Sequence, residues 1–263
     1  MIRCLRAERP RDWTDARLYV LADEHIGDAH AQDEITRAKI DRIRADDRAL
    51  VIVNGDMMNT AVRTGPSDVY GERIKPGDQI SYATKLLEPI MDKIVMGTTG
   101  NHEFRVYRDS GIDTTAVVFG NLGLSSIYAR DGGLLYIRFG QRGTNTHGRD
   151  EPPKMWYSVY ATHGTGGGRK EGAKAIRLAD MACTVDADIY IHSHTHMPMI
   201  LREAFFRADP YNCTAVRADR LFVNTGAALG FGGYGQMQEY KPSSTRTPVI
   251  TLDGRRKDAS ATL

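Results

Sequence analysis

The sequence predicts an α/β protein, and two patterns carry the prediction. Short apolar runs rich in β-branched residues alternate with segments of helical period, and each run is followed at once by polar residues unsuited to a core. At 263 residues the chain is long enough for one substantial core. No internal repeat or shift in composition divides it, so the simplest organisation is one domain over 1–254 and a flexible, basic tail, "RRKDASATL", over 255–263.

Taken in order, Leu18–Ala22 is the first strand, and Asp33–Ala45 follows with helical period. Ala49–Val53 is an unbroken apolar strand, and Ser81–Ile90 is a helix that Pro89 should end or kink. Ile94–Gly97 is the third strand. Asp113–Phe119 is a helix with Asp113 as its N-cap and Gly120-Asn121 as its stop. Leu134–Phe139 and Tyr157–Thr162 alternate in "LLYIRF" and "MWYSVYAT", as strands between layers do. Glu171–Ala182 is a helix, and Ile189–His192, Leu221–Asn224 and Val249–Leu252 complete the strands. Two polar, Gly/Pro-rich loops, Arg63–Gln79 and Gly140–Lys154, are long enough to be either lids or disordered insertions.

Composition bounds the function. A hydrophobic fraction of 41% with 26% charged residues is ordinary for a globular protein, and no apolar run approaches the ~18 residues of a membrane span. The start "MIRCLRAERPRDW" lacks the apolar stretch of a secretory signal, so a cytoplasmic location is expected. Cys4, Cys183 and Cys213 are too scattered for a disulfide framework and read as free thiols. A net charge of +2 with pI near 8.4 does not by itself indicate a nucleic-acid surface.

The chemistry lies just after the strands, in "ADEHIGD", "NGDMMNT", "GTTGNHE", "ATHGTGGG", "IHSHTHMP" and "VNTGAA". Such loops meet at one edge when the strands run parallel. Six of the eight histidines lie in them, with Asp23, Asp56 and Asn101; only His30 and His147 fall elsewhere. Imidazoles and carboxylates without thiolates suit manganese, iron, zinc or similar divalent ions. The ligands outnumber the needs of one ion, which points to two ions sharing a carboxylate. Asp23 and His25, two apart on an expected extended segment, should face the same way.

The ordered set Asp23-x-His25, Gly55-Asp56, Gly100-Asn101-His102-Glu103, His163-Gly164 and His194-x-His196 resembles the calcineurin-like metallophosphoesterase superfamily. That resemblance implies a four-layer α/β/β/α sandwich with two central mixed β-sheets. It implies that Asp23, His25 and His196 hold one divalent ion, that Asn101, His163 and His194 hold the other, and that Asp56 bridges. Manganese is the first expectation, with iron, zinc, nickel, cobalt or magnesium as alternatives. A hydroxide between the ions would attack phosphorus, with His102 as general acid. His192 matches no ligand position, and Ser193 stands where the family usually has glycine.

Departures from the family pattern bear on substrate. "DMMNTAVR" lacks the acidic residue and phosphate-gripping arginine of protein Ser/Thr phosphatases, and Asn59 stands where Asp is common. The stretches Thr162–Ile176 and "LLEPIMDKIVMGTTGNHEFRVYRDSGID" resemble phosphoesterases of phages and prophages, distantly similar to Mre11/SbcD nucleases. This favours a phosphodiesterase acting on DNA, RNA or nucleotides, with Arg105, Arg169 and Lys170 as candidate substrate contacts. A phosphomonoesterase, a nucleotide or protein phosphatase, and a non-catalytic scaffold are the competing classes.

Overall fold

Strand alternation sorts the apolar side chains into three clusters, and the clusters define the layers. On the strand Asp15–Leu21, Leu18 and Val20 enter one core while Tyr19 and Leu21 enter another; on Ala49–Asn54, Leu50 and Ile52 separate from Val51 and Val53 in the same way. On Ile189–His192 and Thr214–Asn224, Ile189, Ile191, Leu221 and Val223 join that first core, whereas Tyr190 and Phe222 join a third. The first core therefore lies between two sheets, and the other two lie on their outer faces.

The computed structural model describes residues 1–140, 155–166 and 168–263, with Tyr234 described in its backbone only. The elements run β1 (Arg3–Arg9), β2 (Asp15–Leu21), α1 (Asp33–Ala45), β3 (Ala49–Asn54), α2 (Pro76–Leu87), β4 (Ile94–Thr98), α3 (Asn101–Ser110), α4 (Thr114–Asn121), β5 (Gly133–Phe139), β6 (Met155–Ala161), α5 (Glu171–Asp180), β7 (Ile189–His192), β8 (Met199–Asp209), β9 (Thr214–Asn224), α6 (Gly233–Met237), β10 (Val249–Asp253) and β11 (Ala259–Thr262). One sheet is ordered β1-β5-β6-β7-β9-β8 and the other β11-β10-β2-β3-β4. Both are mixed: β2, β3 and β4 are parallel with β10 antiparallel, while β6, β7 and β9 are parallel with β5 and β8 antiparallel. Side chains of α1, α2 and α4 cover the outer face of the second sheet, and α5 covers that of the first. This is the α/β architecture expected, with two mixed sheets between helices. Among the described residues no helix is long and apolar enough to cross a membrane.

Local expectations met tertiary constraints in instructive ways. Asp113 caps α4, its carboxylate accepting from the Ala116 N–H at 2.9 Å. Pro89 does end the α-helix, but as a continuation: α2 stops at Leu87 and the chain carries on as 3₁₀ over Glu88–Lys93. The helix begins earlier than its apolar period, at Pro76, where a proline costs no hydrogen bond. The outer half of the β8–β9 hairpin went unread because its residues are mostly exposed and lack apolar alternation. The tail over 255–263 is a correction: β11 pairs antiparallel with β10, and Lys257 reaches Asp188 at 2.7 Å, so pairing and a charge contact hold a segment whose composition looked frayed. Gly140–Lys154, apart from Gly140, and His147 lie outside the described residues.

Candidate metal centre

The parallel strands deliver their carboxyl ends to a common edge, and a buried asparagine ties the two sheets together there. Asn54, at the end of β3, donates to the Thr162 carbonyl at 2.9 Å and to Ser193 Oγ at 2.8 Å, while Thr98 Oγ1 donates to its Oδ1 at 3.0 Å. Ser193, where glycine was the expectation, thus has a definite partner.

Around this junction Asp23, His25, Asp56, Asn101, His163, His194 and His196 converge. His196 Nε2 lies 3.2 Å from Asp23 Oδ1 and 3.1 Å from His25 Nε2. His163 Nε2 lies 3.1 Å from Asp56 Oδ2 and 3.2 Å from Asn101 Oδ1, and His194 Nδ1 lies 2.6 Å from that same amide oxygen. Asp23, His25 and His196 form one group able to hold a metal ion, Asp56, His163 and His194 a second, and His25, Asp56 and His102 a third.

The backbone here departs from the extended segment expected. β2 ends at Leu21, and Asp23 and His25 have φ of 56° and 46°; they converge through left-handed turns, not strand alternation. Asp56 (49°), His194 (65°) and His196 (53°) do likewise, so the three histidines of "IHSHTHMP" are separated by turns as well. Left-handed backbone at such residues costs about 1–3 kcal/mol each, and it persists only where surroundings enforce it. Gly100 admits the close approach: a Cβ there would fall 2.0 Å from Asp56 Oδ1.

Supporting contacts fix the ring and carboxylate orientations. His163 Nδ1 donates to the Asn54 carbonyl at 2.7 Å, which leaves Nε2 facing the centre. Asp23 Oδ2 accepts from the His194 N–H at 3.1 Å and from Thr225 Oγ1 at 3.2 Å, whereas its Oδ1 is buried with no hydrogen-bond donor. Glu24, fully buried between Asp23 and His25, pairs with Lys39 of α1 at 2.7 Å. His192 stays out of the cluster, 2.9 Å from Asn224 Oδ1.

Glu103 completes the Gly100-Asn101-His102-Glu103 motif. As the third residue of α3, its carboxylate accepts from the N–H groups of Gly100 (3.1 Å), Asp56 (3.0 Å) and Met58 (2.9 Å), and so binds two loops to one helix start. Burial and then Asp56 push its pKa up to about 7. Glu103→Ala should destabilise the protein by about 2–4 kcal/mol in urea unfolding, because three buried donors lose their acceptor. A loss below about 1 kcal/mol would mean that water replaces the carboxylate there.

Electrostatics follow the same geometry. Burial opposes ionisation of Asp23, but the facing His196 and His163 hold it at about 2. Burial would likewise lower His163, yet Asp56 and Asp23 raise it to about 10. His194 falls to about 4 through burial and the nearby His163, and His25 lies well below its ordinary value through burial, His102 and His196.

The centre opens into a cleft of about 720 Å³. Arg105 lines it and donates to Ser67 Oγ at 2.9 Å. Arg169 lines it too, but Lys170 does not and stands exposed at the N-cap of α5. Lys174, missed in the sequence, faces the cleft and donates to the Thr195 carbonyl at 2.9 Å; it falls one helical turn after Lys170, which was the available signal. His30, placed outside the site loops by sequence, also lines the cleft. The expected loop Arg63–Gln79 ends where α2 begins at Pro76, and its residues Pro66, Ser67 and Glu72 line the cleft, with the Arg73 N–H bonded to the Gly27 carbonyl at 2.7 Å.

Two mixed sheets and a histidine–carboxylate centre at their strand ends define a metal-dependent hydrolase class. The chain belongs to the calcineurin-like phosphoesterase family, whose sequence model matches residues 25–198, and it is a metal-dependent phosphoesterase. No curated protein matches it. Among solved structures it is similar to an uncharacterised, predicted phosphoesterase from Streptococcus pneumoniae, at 15% identity over 94% of this chain and 97% of that one, with a TM-score of 0.34. It is also similar to a metallophosphoesterase from Sphaerobacter thermophilus (13%, 94% and 88%, 0.42) and to zinc-complexed Vps29 from Entamoeba histolytica (13%, 90% and 85%, 0.40).

Proposed function

We propose that the protein is a two-metal phosphodiesterase acting on nucleic acid or nucleotides. The observation that carries the metal assignment is the convergence of acceptor atoms around two foci, with Asp56 reaching between. Asp23 Oδ1 is buried without a donor, and the Nε2 atoms of His25 and His196 face one another at 3.1 Å. A cation bound between these atoms would satisfy the carboxylate and both imidazoles at once. Asp23, His25 and His196 would hold one ion, Asn101, His163 and His194 the other, and Asp56 both. With its amide reversed, Asn101 would donate to His194, Asp56 and His163, and would accept from Arg105 at 3.1 Å. A cation favours the oxygen turned inward instead. Manganese is the proposed ion, in keeping with ligands that are all nitrogen and oxygen.

Two divalent ions there would supply positive charge for the phosphate oxygens and lower the pKa of an attacking water. The rest falls to the chain. His102 Nδ1 donates to the Asn59 carbonyl at 2.9 Å, which turns Nε2 toward Asp56, 3.8 Å away, and the cleft. Protonated at Nε2, His102 would deliver its proton to the leaving oxygen. Arg105 and Lys174 would bind non-bridging oxygens and orient the ester. The cleft of about 720 Å³ is lined by Pro66, Ser67 and Glu72 as well as by Phe231 and Tyr240, a volume that would admit a substituent on each ester oxygen. With added manganese, bis(p-nitrophenyl) phosphate should therefore be hydrolysed faster than p-nitrophenyl phosphate; a strong preference for the monoester would make the protein a phosphomonoesterase.

Metal affinity should depend on pH through His163. With its pKa near 10 in the metal-free protein, this imidazole carries a proton at pH 7.5 that a metal must expel. His25 and His194, lowered by burial, contribute none there. Isothermal titration in buffers of different ionisation enthalpy should give release of about one proton from the ligand histidines, with affinity falling about tenfold per pH unit lowered. An affinity flat between pH 6.5 and 8.5 would show that His163 carries no proton for a metal to expel.

A further inference from the structure

Beyond residue 198, where the family match ends, the chain returns to the cleft and builds a wall of its own. Phe231, Tyr240 and Lys241 line the same cavity as His25 and His196, and Phe231 and Tyr240 are 52% and 36% exposed. Large aromatic side chains left exposed in a cleft that also carries histidines and cations offer their faces to a flat apolar partner. A cation stands by one of them: the Arg169 guanidinium lies 5.9 Å from the centre of the Tyr240 ring, and Lys174 lines the same cavity. The ion pairs Arg169–Glu239, at 3.7 Å, and Lys241–Glu171, at 2.5 Å, join exposed side chains and are readily exchanged for a ligand anion.

The wall is positioned by its contacts with His30. Ala31 and Leu229 form a bridge, and the Gly230 N–H bonds to the His30 carbonyl at 2.8 Å. Gly232, at φ +159°, lets the chain lie against the His30 ring, where a Cβ would come within 2.4 Å of it. Phe231 is thereby held between two anchored residues at the cleft.

We infer that Phe231 and Tyr240, with Arg169, form a nucleobase subsite beside the metal centre, so that the substrate is a nucleoside ester of phosphate. This rests on the proposed reading of nucleic acid or nucleotides as substrate and assigns the residues that would hold the base. A nucleoside phosphate combines the two features the wall answers: an anion for the cations and a flat ring for the aromatic faces. Stacking tolerates any base, so the subsite gives a preference for nucleosides over other alcohols and little choice among bases.

Calorimetric binding to the manganese-loaded protein tests this with thymidine 5′-monophosphate and methyl phosphate, which share the anion and differ in the nucleoside. The thymidine ester should bind at least about tenfold more tightly. Phe231→Ala and Tyr240→Ala should each erase most of that ratio while leaving methyl phosphate binding unchanged. Equal affinities in the unaltered protein, or a ratio that survives both substitutions, would overturn the subsite. Failure of the phosphodiesterase reading shows separately, as absent hydrolysis of bis(p-nitrophenyl) phosphate in a protein that still prefers thymidine monophosphate.

Discussion

Asp56→Asn is expected to lower hydrolysis of bis(p-nitrophenyl) phosphate by a factor on the order of 10³ and to leave the protein with fewer than two tightly held ions. The substitution keeps shape and removes charge. Asp56 Oδ2 stands 3.1 Å from His163 Nε2, and Asp56 also shares with His25 a group able to hold a metal, so one carboxylate lies within reach of residues from both proposed ligand sets. Its Oδ1 accepts from the His102 N–H at 2.9 Å. A neutral amide can still accept from His102, but it cannot offset the repulsion between two cations held close together. Metal analysis and turnover should fall together. Two retained ions with turnover within about threefold of the unaltered protein would show that Asp56 does not bridge.

His102→Ala should separate chemistry from binding. Hydrolysis should fall by about 10²–10⁴-fold while both ions remain, because His102 acts on the leaving oxygen and lies outside the two proposed ligand sets. The loss should be smaller for a p-nitrophenyl ester, whose leaving group is stable as an anion, than for a nucleoside ester, whose alkoxide needs the proton. The pH profile should change too: burial lowers the His102 pKa below the usual imidazole value, so the fall in rate as pH rises through that lowered value, the mark of a deprotonating acid, should vanish. The competing possibility is concrete, since His25, Asp56 and His102 also form a group able to hold a metal. Loss of one ion from His102→Ala would make His102 a ligand and remove it as the acid.

The sequence revealed the centre more fully than it revealed the means of holding it. Asp23, Asp56, Asn101, His163, His194 and His196 could be picked out because polar residues directly after apolar strands have few structural uses. The order of those strands put them on one edge. The left-handed turns at Asp23 and His25 were illegible, since nothing in the residue types distinguishes a strained turn from an extended segment. Glu103, Glu24 and Asn54 were hidden for a related reason. Each acts by filling backbone or side-chain partners supplied from distant segments, and such partners exist only in the folded chain. The tail and the outer β8–β9 hairpin lacked apolar alternation, and pairing alone defines them. Phe231 and Tyr240 carry no motif; only the folded chain brings them to the cleft that the strand-end histidines also line.

Anomalous diffraction from crystals grown with manganese tests the central claim most directly. Two peaks about 3.5–4 Å apart are expected, with Asp56 between them, Asp23, His25 and His196 on one, and Asn101, His163 and His194 on the other. A single peak, or an ion held by His25, Asp56 and His102, would contradict the two-metal account.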